Sequence, residues 1–183
     1  MTQTESHGCR LLVIMRHAKA EPFSAEDHAR TLTARGRRDA AEAGLWLAGR
    51  GIVPDCAFVS SSVRTVDTWE ALAHGARSSA EVRVEDSIYS ASPEATLDVL
   101  RTAPLDSQVL AYVGHNPAAA YLAHMLDDGE PDPAAFREMS EGYPTAALTV
   151  LEVRVPWAEL DVATCHITAF HVGRGSAQAR GQS

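Results

Sequence analysis

Four side chains able to bind or transfer a charged group stand just beyond short apolar runs. Arg16 and His17 follow residues 11–15, Arg64 follows 56–60, and His115 follows 108–113. Guanidinium groups present forked N–H donors that match phosphate oxygens bidentately. A neutral imidazole is a nucleophile, and histidine can carry a phosphoryl group covalently. Phosphoryl transfer rests on positioning and on stabilising charge over the equatorial oxygens, which clustered donors supply. Two Arg and two His around one point would therefore make an anion site, and phosphate suits it best. Taken singly, a His after a strand is usually a satisfied loop residue. Arg64 alone could simply solvate a helix start, although a cation there opposes the helix dipole and needs a counter-ion such as bound phosphate.

The elements that must position these groups can be read from apolar patterning. Residues 11–15 read as a strand buried on both faces, and 19–30 are too irregular to assign. Thr33 is a candidate N-cap for a helix to about Arg50, with Ala40, Ala43, Gly44, Leu47 and Ala48 at helical spacing and Gly51 as a stop. Residues 56–60 read as a strand, 62–73 as a helix closed by Gly75, and 81–84 as a short third strand. Ser92-Pro93-Glu94 opens a helix to about Arg101. A strand over 108–113 precedes a helix from Pro117 to about Leu126, then a surface loop over 127–133. Segments 146–153 and 165–172 are β-rich.

Strands alternating with helices imply an α/β fold with helices on both faces of a mostly parallel central sheet, a three-layer sandwich. Ligands of such sheets sit beyond the carboxyl ends of the strands, at a topological switch point. That rule selects residues 15–18, 60–65 and 114–117. If the strands are neighbours, Arg16, His17, Arg64 and His115 converge on one rim. Residues 1–172 are expected to form one domain, and 173–183, rich in Gly, Ser, Gln and Ala, a disordered tail.

The chain has 183 residues, 45% of them hydrophobic, which suits one full-sized domain. Its 16 Lys plus Arg against 24 Asp plus Glu leave a formal charge of −8. That balance argues against nucleic acid as a partner, so an anionic ligand must be held by a local cation cluster. Cys9, Cys56 and Cys165 are far apart and odd in number, so neither a disulfide framework nor a metal-spaced pair is expected. No Gly-x-x-x-x-Gly-Lys loop is present. His166 and His171, five apart in a strand, should face opposite sides and make a poor metal pair. No cofactor or metal is expected. The N-terminal apolar run is shorter than a signal peptide needs, and no stretch reaches the ~20 apolar residues of a membrane span. A cytoplasmic protein without a membrane partner is the expectation.

Arg16-His17 after an N-terminal strand, Arg64 in Ser-Ser-x-x-Arg-Thr form, and Gly114-His115-Asn116-Pro117 after a later strand together resemble the histidine phosphatase superfamily. The short chain and the segment Arg30-Thr31-Leu32-Thr33-x-x-Gly36 are most similar to its SixA-type phosphohistidine phosphatase branch, with Tyr89-Ser90-Ala91 and Pro144-Thr145 in support. The resemblance spans residues 11–151. It implies a phosphoglycerate mutase-like fold, His17 as the phosphorylated nucleophile, and Arg16, Arg64 and His115 as the rest of the phosphate pocket. The family's usual motif begins Arg-His-Gly, whereas Ala18 stands in the Gly place. If Gly were needed there for a positive φ, Ala18 would shift His17 or cost stability.

The resemblance also implies a carboxylic acid after a Gly-x-Trp-Glu-type motif in larger members, and that motif is missing. A phosphomonoester leaves as an alkoxide that needs a proton, whereas a phosphoramidate leaves as imidazole, a better leaving group once protonated. Without an obvious acid, the chain fits a P–N bond better than a sugar phosphate, and a shallow pocket would suit a histidine displayed on a protein. Asp27, Glu85 and Asp86 remain candidate acids. Arg30 could reach the phosphate or pair with Asp27, and Asn116 could donate to phosphate, although capping the following helix is the favoured role. Tyr89 is expected in core or rim packing, and Thr145 is the weaker candidate for lining the pocket. His7, His28, His74, His124, His166 and His171 are read as structural or exposed. The leading expectation is a metal-independent protein phosphohistidine phosphatase. The alternatives are a small-molecule phosphomonoesterase acting on a phosphate ester, or a non-catalytic phosphate-binding scaffold.

Overall fold

The computed structural model describes residues 10–176. In chain order its elements are β1 (Arg10–Arg16), α1 (Ala34–Ala48), β2 (Cys56–Ser60), α2 (Val63–Ala76), β3 (Glu81–Glu85), α3 (Pro93–Leu100), β4 (Val109–Gly114), α4 (Ala118–Leu126), α5 (Pro133–Ser140), β5 (Ala147–Val153) and β6 (Cys165–Val172). One sheet of six strands runs β3-β2-β4-β1-β5-β6. The first four strands are mutually parallel, and β5 and β6 add on antiparallel.

The continuous apolar runs follow from burial on both faces. Leu12, Ile14, Phe58, Leu110 and Tyr112 pack toward α3, α4 and α5 through Leu97, Leu100, Leu122 and Met139. The alternate residues Val13, Met15, Val59, Ala111 and Val113 pack toward α1 and α2 through Ala43, Leu47, Trp69 and Leu72. The result is the expected three-layer α/β/α sandwich. β4 lies between β1 and β2, so the three strands whose ends carry Arg16, His115 and the approach to Arg64 are neighbours.

Helix starts follow the expected chemistry: Thr33 Oγ1 accepts from Gly36 N, and the Ser92 side chain accepts from Ala95 N. Gly75, however, does not close α2. It lies inside the helix, where a Cβ would stand 2.2 Å from the Ala41 carbonyl, and a Cβ on Gly44 would stand 2.1 Å from that of Leu72. The two glycines let α1 and α2 cross in close contact, and α2 ends instead on Arg77 at φ 54. The helix α5 was not anticipated. Its start is nonetheless written in the chain, since Asp132 accepts from Ala134 N and Ala135 N ahead of Pro133. With only Ala135 and Met139 buried, it shows too little apolar periodicity to stand out.

A second correction concerns β6. A register shift opposite Val150/Leu151 pairs His166 with Glu152 and His171 with Leu148, so both histidines share one face rather than alternating. They remain separate: His166 Nδ1 lies 3.4 Å from Asp128, and His171 Nε2 lies 2.9 Å from Glu42. The start of the expected tail is tied down, because Gly173 N donates to Ala146 O, Arg174 N to Glu42 and Gly175 N to Asp39. The rest of that tail, with His7 and Cys9, lies outside the described residues. Cys56 and Cys165 are buried free thiols. Among the described residues, no helix is long and apolar enough to cross a membrane.

Candidate active site

His17 is held by its backbone before its side chain does anything. Its N–H donates to Gly114 O at 2.9 Å, carrying the β1–β4 ladder one residue past the strand, and its carbonyl accepts from Ala146 N at 3.2 Å. The next residue, Ala18, is fully buried, and its N–H donates to Thr68 Oγ1 of α2 at 2.9 Å. Ala18 is not among the residues of positive φ, so the chain does not need glycine here. Just beyond, Thr33 N and Thr33 Oγ1 both donate to Lys19 O, and a Cβ on Gly36 would stand 2.1 Å from that carbonyl. The Thr33-x-x-Gly36 pattern therefore pins the segment that leaves His17.

The imidazoles of His17 and His115 meet edge to face, with centroids 5.3 Å apart. His17 Nδ1 lies 2.8 Å from Ala18 O. A carbonyl can only accept, so Nδ1 carries the hydrogen and Nε2 keeps its lone pair. His115 is oriented the other way. Its Nδ1 faces Arg64 Nη2 at 3.4 Å, so Nδ1 accepts and Nε2 donates to Ser60 Oγ at 2.9 Å. Burial pushes the His17 pKa down from 6.5 to about 4; the bond to Ala18 opposes this, and Arg64, Arg16 and Arg30 add to it. Burial, then the charges of His17 and Arg64, push His115 down to about 3. Both rings are neutral near pH 7.

Arg16 ends β1, and its Nη1 donates to Tyr143 O at 2.9 Å. Asn116 Nδ2 donates to the same carbonyl at 2.9 Å, so Asn116 braces the site and does not cap α4. Arg64, in the first turn of α2, is only 7% exposed. Its Nη1 donates to Asp27 O at 2.7 Å and its Nη2 to Asp27 Oδ2 at 2.9 Å, so the counter-ion expected from a bound phosphate is supplied first by the protein. The Nε atoms of Arg16 and Arg64 are both buried without a protein partner. A buried N–H left unpaired costs about 1–3 kcal/mol.

Arg30 takes the pairing role: its Nη1 donates to Asp27 Oδ1 at 3.0 Å and its Nε to Glu21 O at 2.8 Å. Hydrogen bonds from Tyr89 and then Arg30 hold the Asp27 carboxyl well below the usual carboxylate range. Asp27 is therefore held as a carboxylate, with donors from three side chains on its oxygens. Glu85 ends β3 and Asp86 follows it at the sheet edge; Asp86 meets Tyr89 through its backbone carbonyl alone, and among the described residues neither carboxylate bonds to the groups above. Thr145 precedes Ala146, whose N–H meets the His17 carbonyl, and its own carbonyl accepts from Arg174 at 3.4 Å.

Sequence reasoning missed three participants. Ser60 fixes the His115 ring. His28 bonds Ser61 Oγ at 3.0 Å and meets the Tyr89 ring at 4.9 Å, and the Tyr89 ring in turn meets His115 at 5.5 Å. Tyr143 presents the carbonyl shared by Arg16 and Asn116. Ser60 lay inside the segment selected at the end of the second strand and could have been found there. His28 and Tyr143 carried no local signal.

A family model for the histidine phosphatase superfamily (branch 1) matches residues 12–89. The uncharacterized protein Rv1276c of Mycobacterium tuberculosis is 33% identical over 162 residues, covering 87% of this chain and 100% of that protein. A candidate phosphohistidine phosphatase SixA from Nakamurella multipartitia is 30% identical, with a TM-score of 0.80 over 91% of this chain and 97% of that one. The protein histidine phosphatase SixA complexed with tungstate, at 19% identity and a TM-score of 0.73 over 89% and 97% of the two chains, shares the fold.

Proposed function

The chain belongs to the histidine phosphatase superfamily, and from that premise we propose that it is a metal-independent protein phosphohistidine phosphatase working through phospho-His17. The observation that carries this reading is the His17 tautomer. With Nδ1–H fixed on Ala18 O and the ring neutral, the Nε2 lone pair is available in line for phosphorus.

In the first step Nε2 of His17 bonds to phosphorus as the bond from phosphorus to the substrate nitrogen breaks. The departing imidazole takes its proton from solvent. Arg16 and Arg64 spread the charge on the equatorial oxygens, His115 stands edge to face beside His17 with its Nδ1 accepting from Arg64, and Arg30 adds positive charge beside Asp27. In the second step water attacks phosphorus, inorganic phosphate leaves, and His17 returns to the same neutral tautomer. Ionised Asp27, with three donors already on its oxygens, supplies no acid for an alkoxide, which favours a P–N over a P–O leaving group. The partly exposed rings of His17 and His115 suit a phosphohistidine on a protein surface. Such a substrate, and two reduced thiols, fit a cytoplasmic setting.

The decisive experiment presents a phosphohistidine protein beside a panel of sugar phosphates and traps labelled enzyme. Label should sit on His17, survive alkali and be lost in acid, and His17→Ala should trap none. EDTA should leave turnover intact, because cationic side chains do the neutralising. Preferred turnover of a phosphomonoester, label that survives acid, or activity restored only by a divalent metal would each overturn the proposal.

A further inference from the structure

The Arg64 guanidinium stands where a cation is least welcome: nearly buried, and in the first turn of a helix whose dipole repels it. Apart from a longer contact of 3.4 Å from Nη2 to His115 Nδ1, its shortest contacts go to one residue thirty-seven positions earlier. Asp27 opens a one-turn 3-10 helix (Asp27–Ala29) and takes one terminal nitrogen of Arg64 on its backbone carbonyl and the other on its carboxylate. Two contacts on the two ends of a planar group fix both the tilt and the rotation of the plane. The Nε edge is then left over, buried and without a protein partner.

Asp27 is itself fixed from two further directions. Tyr89 OH donates to Oδ2 at 2.7 Å and Arg30 Nη1 to Oδ1 at 3.0 Å. Tyr89 follows β3, and its ring edge meets His115, so the hold on Arg64 and the packing of His115 share one side chain. Arg30 is anchored in turn on Glu21 O. The network joins the loop after β1, the start of α2 and the segment after β3.

We propose that Asp27 is a positioning residue, gripping both terminal nitrogens of Arg64 so that the guanidinium is set in advance for the transferring phosphoryl group. The proposal rests on the phosphatase reading for its catalytic consequence, but the grip on an anion-binding Arg64 can be measured without turnover. Ion pairs open to water, such as Arg83 with Glu81, contribute little. Asp27 differs because it organises a nearly buried cation whose Nε–H has no protein partner. Its negative charge would by itself disfavour a bound anion. The carboxylate is 56% exposed, however, so water screens that field, whereas nothing screens the loss of geometry.

The test is a double-mutant cycle read by calorimetric titration with orthovanadate and by hydrolysis of a phosphohistidine protein. Asp27→Asn should weaken vanadate binding about tenfold and lower kcat, the scale of one charge-assisted hydrogen bond. In an Arg64→Ala background the same change should alter either quantity by less than about twofold, because the residue acts through Arg64. Asp27→Glu should recover part of the loss. If Asp27→Asn fails to fold, Tyr89→Phe, which removes only the phenol donor, should show the same pattern at about threefold. Unchanged or tighter vanadate binding in Asp27→Asn, or full additivity with Arg64→Ala, would overturn the proposal. A wild type that binds vanadate but hydrolyses no phosphohistidine would overturn the phosphatase reading, and the vanadate cycle would still decide the role of Asp27.

Discussion

His17 donates from Nδ1 to the carbonyl of Ala18, the residue immediately after it, at 2.8 Å. A single local hydrogen bond thus selects the tautomer, and the buried setting between two arginines keeps the ring from taking a second proton. The facing His115 is fixed in the opposite tautomer by Arg64 and Ser60.

Nitrogen-15 NMR should therefore find His17 as the Nδ1–H form and His115 as the Nε2–H form, both neutral from pH 8 down to about 5. The His17 signal should titrate near 4. The sign of the linked stability follows. Between about 6.5 and 4 the unfolded chain binds a proton that native His17 refuses, so stability should be full above pH 6.5 and fall as the solution is acidified through that window. A melting temperature that rises on acidification over this range would contradict the assignment.

Ser60→Ala removes the acceptor of the His115 N–H while leaving the arginines in place. The fully buried Ser60 has no water to replace it, so the ring should lose its fixed orientation. Turnover should fall by about five- to tenfold, the effect of one hydrogen bond. Single-turnover measurements should locate the loss in kcat, with the fold intact by circular dichroism.

Ala18→Gly would restore the residue usual for the family at that place. Because Ala18 already adopts an ordinary φ and buries its methyl completely, nothing is gained. Chain entropy and the lost methyl should cost about 1–2 kcal/mol in denaturant unfolding. Phosphoenzyme formation should not accelerate.

Gly75→Ala sets two effects against each other. Alanine should favour the helix by about 1 kcal/mol, but its Cβ would stand 2.2 Å from the Ala41 carbonyl and force α1 from α2. Overpacking of this kind costs about 1–3 kcal/mol, so urea unfolding should show a net loss of stability. A stabilised variant would mean that the two helices separate freely.

Placement of the candidate groups at strand ends was legible in the amino-acid sequence, because buried strands write continuous apolar runs and the chemistry begins where each run stops. Arg16-His17 after residues 11–15 and His115 after 108–113 needed no tertiary knowledge. Caps such as Thr33 and Ser92 were legible for the same reason: their bonds reach only three residues along the chain. Gly75 read as a stop because a glycine that ends a helix and one that admits a neighbouring helix look alike until the neighbour is known. His166 and His171 were put on opposite faces because a bulge is set by the partner strand.

The strand order that seats β4 between β1 and β2, the double grip of Asp27 on Arg64, and the carbonyl of Tyr143 shared by Arg16 and Asn116 join residues 27 to 127 positions apart. No local pattern encodes such pairs, since each partner's own neighbours are compatible with many others. Residue types along the chain therefore determined that two arginines and two histidines could bind a phosphoryl group. Folding decided which nitrogen of each ring is free and which carboxylate stands guard over Arg64, because tautomer and ion pairing depend on the acceptors that the packed layers bring within hydrogen-bond reach.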